Sequence, residues 1–138
     1  MRLTQYTDYG LRVLMYVSCH RDDTVTTAQL AKVLGVSRHH LLKVVRRLIE
    51  QGWLHARRGP TGGVSFAADS GSVTVGEIVR TLETHLDLVE CFAPDTNTCP
   101  LFPGCRLAPL LHRAQAAFLR ELDAVTLQEL MQDRIEHE

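Results

Sequence analysis

The chain has 138 residues, 45% hydrophobic and 22% charged, enough for one compact domain with a core and unlike a disordered chain. No apolar run approaches a bilayer-spanning length, and the start, MRLTQYTDYG, lacks the basic-then-apolar order of a signal peptide, so the cytoplasm is the expected compartment. The net charge of −1 hides an asymmetry: residues 1–68 carry ten Lys and Arg against four Asp and Glu, and residues 69–138 carry five against twelve, which predicts one surface facing a polyanion and another with a separate task.

In chain order, residues 4–19 read as a first helix. Thr4 can cap it, and Leu11, Leu14, Met15 and Ser18 recur at helical spacing. The stretch HRDDTVT reads as a polar loop. Thr27–Leu34 is a short helix ended by Gly35, and Ser37 caps a third helix that runs to about Gln51. WLHARRGPTGGVSFA has two short strand-like pieces around a Gly/Pro turn, a hairpin signal. Residues 75–83 look helical. Residues 91–105, broken by Pro94, Pro100, Pro103 and Gly104, cannot be regular structure. A long helix follows from about Arg106 to Asp123, with an apolar stripe of Leu107, Leu110, Leu111, Ala114, Ala117, Phe118 and Leu122. It is too short for a free coiled coil but long enough to pair with another helix. Thr126 and Glu129 can form a capping box for a last short helix.

The expected fold is mainly α with a small β-hairpin wing: a winged helix-turn-helix followed by a long dimerisation helix. The expected division is a DNA-binding region at 1–68, a connecting helix at 69–90, a cysteine loop at 91–105, and dimerisation and C-terminal helices at 106–138. LAKVLGVSRHHL carries the helix-turn-helix logic. Ala31 is small where two helices touch, Gly35 allows the turn, and Leu41 plugs the second helix from below. Leu41, Val44, Val45, Leu48 and Ile49 can pack inward, leaving a basic outer face. Ser37, Arg38, His39 and His40 then lie near the helix start, where side chains reach base edges, and Lys43, Arg46 and Arg47 lie where phosphate is met. Arg57 and Arg58, beside Gly59, Gly62 and Gly63, are wing residues suited to a minor groove. No paired carboxylates, nucleophile–base arrangement or phosphate loop stands out, so an enzyme is not expected.

Three of the four cysteines share one loop with the spacing Cys91-x7-Cys99-x5-Cys105. Zinc knuckles usually need Cys-x2-Cys, which is absent. Three thiolates in an irregular loop suit an iron–sulfur cluster; zinc and free or redox-active thiols remain open. A cluster needs a fourth ligand, and spacing leaves Asp8, Glu90, Asp95 and His112 all eligible. Cys19, late in the first helix, is expected as a packed core thiol.

Together these residues resemble the Rrf family of bacterial winged-helix regulators, in particular its nitric-oxide-sensing NsrR branch. The likeness covers nearly the whole chain. MRLTQYTDYGLRVLMY resembles the family's opening, LGVSRHHLLKVVRRL its recognition helix, RRGPTGGV its wing, and ECF, CPLFPGCRL and AFLRELDAVTLQEL its cluster loop and dimer helix. The resemblance implies a homodimeric repressor of a palindromic operator in double-stranded DNA, responding to nitric oxide. It implies an iron–sulfur cluster in each subunit, 4Fe-4S favoured over 2Fe-2S, on Cys91, Cys99 and Cys105. Asp8 matches the aspartate that supplies the fourth ligand from the other subunit. Two features depart from relatives. IscR uses a histidine soon after its third cysteine, whereas Arg106, Leu107 and Ala108 follow Cys105 here and the nearest histidine is His112. The seven-residue first spacing resembles the iron-responsive RirA proteins, which do not typically carry the aspartate. An iron- or redox-responsive regulator of RirA or IscR type, or a zinc or thiol switch on the same winged helix, is the alternative.

Overall fold

The computed structural model describes residues 1–60 and 62–135, with side chains through residue 132. Thr61, in the expected wing turn, and residues 136–138, at the end of the expected 106–138 segment, lie outside the described residues. Helix α1 spans Gln5–Cys19, and the Thr4 hydroxyl accepts the Thr7 N–H at 3.3 Å. Its buried face is Thr7, Gly10, Val13, Leu14, Val17 and Ser18. Leu11 and Met15 lie on the flank, half-buried against the core. Cys19 corrects the sequence reading: it is exposed. At seven and eleven residues beyond Arg12 and Asp8 it falls on their solvent side of the helix, while Val17 and Ser18 take the inner positions.

Helix α2 (Thr27–Leu34) starts on a reciprocal Thr26–Gln29 capping box and ends at Gly35, whose φ of 65° makes the turn. Helix α3 (Arg38–Glu50) starts on Ser37, which accepts the His40 N–H at 3.3 Å. Leu41, Val44, Val45 and Leu48 of α3 are buried with Leu30 of α2 and Val13, Leu14 and Val17 of α1 in one core. This packing, not local propensity alone, holds such short helices.

The wing is an antiparallel pair, β1 (Leu54–Arg57) and β2 (Gly63–Phe66), in the register Leu54↔Phe66 to Arg57↔Gly63. The structure adds a contact where the sequence suggested only a polar loop. Val25 and Val64 exchange both backbone hydrogen bonds at 2.8 Å. A Cβ on Gly63 would overlap the Val25 carbonyl. Gly63→Ala is therefore expected to destabilise the fold by about 1–3 kcal/mol, the usual cost of overpacking. Urea denaturation checks this, and an unchanged midpoint would mean the wing is not anchored at Val25.

Helix α4 (Val75–Leu82) opens on a Thr74–Glu77 capping box. Irregular chain with 3₁₀ turns at Glu90–Phe92 and Pro94–Thr96 leads to α5 (Leu107–Asp123). Helix α6 (Leu127–Ile135) begins with the expected Thr126–Glu129 box, its two backbone hydrogen bonds 2.7 and 3.2 Å long. Leu127 and Met131 are buried, Leu127 joins the core, and α6 lies on α1. The chain thus returns to the front half after α5, leaving the cysteine loop and α5 as an excursion from a core to which Ile78 and Leu82 of α4 belong. Among the described residues no helix is long and apolar enough to cross a membrane.

Candidate nucleic-acid interface and cysteine loop

The outer face of α3 has the predicted character. Ser37, Arg38, His39, His40, Lys43 and Arg46 are exposed, and Arg47 is half-buried. His39, Lys43, Arg46 and Arg47 border a groove that continues to Gly63 and Val64 of the wing, so α3 and β2 form one concave surface. Arg47 lies 3.6 Å from Glu50. Tyr6 lines the same groove. Burial pushes its phenol above the ordinary value, Arg47 opposes that, and Glu50 adds to it. Sequence reasoning missed Leu42, which is 49% exposed at the groove edge among these basic groups. Its omission from the inward set was the available signal.

Both predicted wing arginines are exposed, in different settings. Arg57, the last residue of β1, donates from Nε to Ser65 Oγ at 3.0 Å across the hairpin. That bond orients its guanidinium and leaves the other N–H donors available. Arg58 follows the strand into the turn.

Cys91, Cys99 and Cys105 are free and half-buried. The loop is seated on α5 by Phe92, whose ring stacks on His112 with centroids 3.7 Å apart and planes 11° from parallel. Gln115 of α5 donates to the Leu86 carbonyl, and Arg80 of α4 grips Asp123 of α5 through two hydrogen bonds of 2.5 and 2.8 Å. That grip holds the Asp123 carboxyl below its ordinary range. Within the loop, Glu90 accepts both the backbone N–H and the hydroxyl of Thr98. The Thr98 hydroxyl, and then its N–H, hold the Glu90 carboxyl below the usual range. The donor chemistry fits iron or zinc: three soft sulfurs on one loop, none spent in a disulfide. Among the described residues, however, no three His, Cys, Asp or Glu side chains converge as a metal-binding group.

The four eligible fourth ligands separate in the structure. His112 is stacked on Phe92 and Glu90 is bonded to Thr98. Asp95 is exposed in a 3₁₀ turn. Asp8 lies in the first turn of α1, where its two oxygens accept Arg12 Nε at 3.0 Å and Nη2 at 2.7 Å. Both side chains are more than 40% exposed. An exposed pair at this spacing is worth only about 0.3–0.5 kcal/mol, so Arg12 is a partner Asp8 can readily exchange.

The sequence model of the Rrf2 family, described as an iron-dependent transcriptional regulator, matches residues 3–133. The HTH-type transcriptional regulator NsrR of Geobacillus kaustophilus is 43% identical over 135 residues, covering 97% of this chain and 92% of that protein. Among solved structures, the T. potens IscR superposes with a TM-score of 0.79 at 21% identity, covering all of this chain and 91% of that one. CymR, the global cysteine regulator of B. subtilis, superposes with a TM-score of 0.76 at 23% identity, covering 96% of this chain and 97% of that one. These two likenesses carry the fold, and the groove between α3 and the wing gives that fold a basic face. With the family pattern running through both the winged helix and the cysteine loop, the chain belongs to the Rrf2 family of transcriptional regulators, DNA-binding proteins and not enzymes, and is similar to its NsrR members.

Proposed function

We propose that the protein is a homodimeric, cytoplasmic repressor whose operator binding is controlled by an iron–sulfur cluster, 4Fe-4S favoured, that reacts with nitric oxide. The observation that carries this reading is the set of three free cysteines on one loop, docked on α5 of a winged-helix chain. Cys91, Cys99 and Cys105 would hold the cluster, with Asp8 of the other subunit as fourth ligand. When bound, the cluster supplies nitric-oxide-reactive iron.

The chain's own residues provide the coupling. Helix α1 packs on α3 and α4, and at Gly10, two residues after Asp8, it faces Leu82 of α4 and Val44 of α3. A displacement of Asp8 along or about α1 is therefore delivered to the recognition helix through packed side chains, which resist compression. Held by the other subunit's loop, Asp8 fixes α1 and with it the spacing of two α3 helices. Released, it has Arg12 as a partner on its own helix. This gives two sites and one element biased by both, as an allosteric link requires. The apolar surface for the second copy is α5 and the loop before it: Leu101, Phe102, Leu107 and Leu110 are each more than half exposed.

On DNA, Ser37, Arg38, His39 and His40 would address base edges, Lys43, Arg46 and Arg47 phosphates, and Arg57 and Arg58 the minor groove. Arg46→Ala is expected to weaken binding to operator and unrelated duplex alike. It should also reduce the slope of log affinity against log salt by about 1 per site. An unchanged slope in a filter-binding or anisotropy series would remove Arg46 from the phosphate contacts.

The deciding experiment measures iron, acid-labile sulfide and operator affinity on anaerobically purified protein, before and during nitric oxide titration. About four irons per chain, a broad visible band and joint loss of band and DNA binding are expected. Zinc, or no metal, in fresh anaerobic protein would overturn the cluster reading. A cluster whose DNA binding ignores nitric oxide but follows iron supply would favour the RirA-like alternative.

A further inference from the structure

One carboxylate closes the span between the first two loop cysteines. Glu90 Oε1 accepts the Thr98 backbone N–H at 2.5 Å and the Thr98 hydroxyl at 2.6 Å. Glu90 directly precedes Cys91, and Thr98 directly precedes Cys99. The pair of bonds therefore fastens together the two backbone positions from which these thiols project. The other hydrogen bonds in this span are local. Ala93 N–H reaches Glu90 O, Thr96 N–H reaches Ala93 O, and Cys99 N–H reaches Asn97 Oδ1 at 3.0 Å. Among the described residues no other hydrogen bond joins 89–92 to 97–99.

We propose that Glu90 is a positioning residue for metal binding: through Thr98 it holds Cys91 and Cys99 on one closed loop before any metal arrives. This rests on the reading of the cysteines as metal ligands and adds a residue to it that is not itself a ligand. The chemistry suits the task. One ionised oxygen takes two donors, a charge-assisted arrangement stronger than a neutral one, and it crosses a stretch that has no α-helix or strand to hold it, only single 3₁₀ turns. Without the clamp, Cys91 and Cys99 are joined only by a chain of short local turns, and the first bound metal must close that segment itself. The clamp also explains how a wide seven-residue spacing can serve one centre: the span is shortened by a side chain, not by fewer residues.

Anaerobic, metal-free full-length protein titrated with Co2+ tests this through the thiolate-to-cobalt absorption, which reports sulfur ligation without DNA or nitric oxide. Glu90→Ala is expected to weaken Co2+ binding by about 20-fold, the dilution of one thiolate about the other when a loop of roughly eight residues is freed. Glu90→Gln keeps an acceptor for the Thr98 N–H and should stay within a few-fold of the parent. Thr98→Ser keeps both donors and should match it. Equal affinity in Glu90→Ala and the parent overturns the proposal. So does an equal fall in Glu90→Ala and Glu90→Gln, which would make the carboxylate a ligand, and so does a parent with no thiolate-to-cobalt band. The cluster reading is separated by reconstituting the parent with iron and sulfide. If no cluster forms while the cobalt series keeps its order, the cluster reading fails and the clamp stands. If a cluster forms and Glu90→Ala still equals the parent with cobalt, the clamp fails and the cluster reading stands.

Discussion

Cys99→Ala protein is expected to purify folded and colourless, with iron and acid-labile sulfide near zero and with operator binding reduced to that of unrelated DNA. Fold and function separate here because of where Cys99 sits. Its loop lies on the excursion between α4 and α5, and the core is built from α1, α2, α3, the wing, α4 and α6. A half-buried thiol outside that core contributes little to stability, so the unfolding midpoint should move by no more than about 0.5 kcal/mol. Removing one of three thiolates, by contrast, leaves two sulfurs for a centre that needs at least three protein ligands. The residual backbone bond, Phe102 N–H to Cys99 O at 3.3 Å, does not involve the thiol and survives the change. Cys19→Ala is the matched control: an exposed cysteine on the Asp8 side of α1, whose loss should leave iron content and affinity at parental levels. Iron and sulfide assays, circular dichroism and operator titration on both variants decide it. Cluster-dependent DNA binding retained by Cys99→Ala would sink the ligand assignment.

What the sequence disclosed follows physical range. Caps and helix faces are set by neighbours within four residues, so Thr4, Ser37, Gly35, the Thr126–Glu129 box and the inner face of α3 could be read directly. The hairpin was legible because a Gly/Pro turn sits between two strand-like runs. Contacts across the chain were not. Val25 pairs with Val64 through backbone atoms that carry no residue signature. Glu90 meets Thr98 across a loop without periodicity, and Phe92 meets His112 across a loop-to-helix junction. Cys19 was misplaced because Ser18 and Cys19, consecutive in sequence, project about 100° apart around the helix, and only the tertiary partner decides which of the two turns inward. Asp8 was legible as a first-turn acid, but its bidentate pairing with Arg12 depends on rotamers that the sequence leaves open. The candidate ligand positions were thus readable from spacing and resemblance, whereas the elements that hold them required the fold.

Leu41→Ala is expected to damage the DNA-binding half severely. Leu41 is fully buried at the start of α3, in the core with Leu30, Val44 and Leu48. Truncation removes its apolar burial and leaves a cavity that flanking helices can only partly collapse, a loss of about 2–5 kcal/mol against a total stability of about 5–15 kcal/mol for a domain. Because α2 and α3 are only eight and thirteen residues long, this loss falls on the packing that fixes the angle between them, and operator affinity should fall even in the molecules that remain folded. Leu42→Ala, one residue on, is the internal comparison. That side chain is 49% exposed, so its truncation should change stability by no more than about 0.5 kcal/mol. Urea unfolding of both variants at matched protein concentration measures the difference, since association shifts apparent stability by mass action. If Leu42→Ala proved the more destabilising of the two, α3 would have to be turned by about 100°, and Lys43, Arg46 and the other basic groups would no longer share the face that meets the wing.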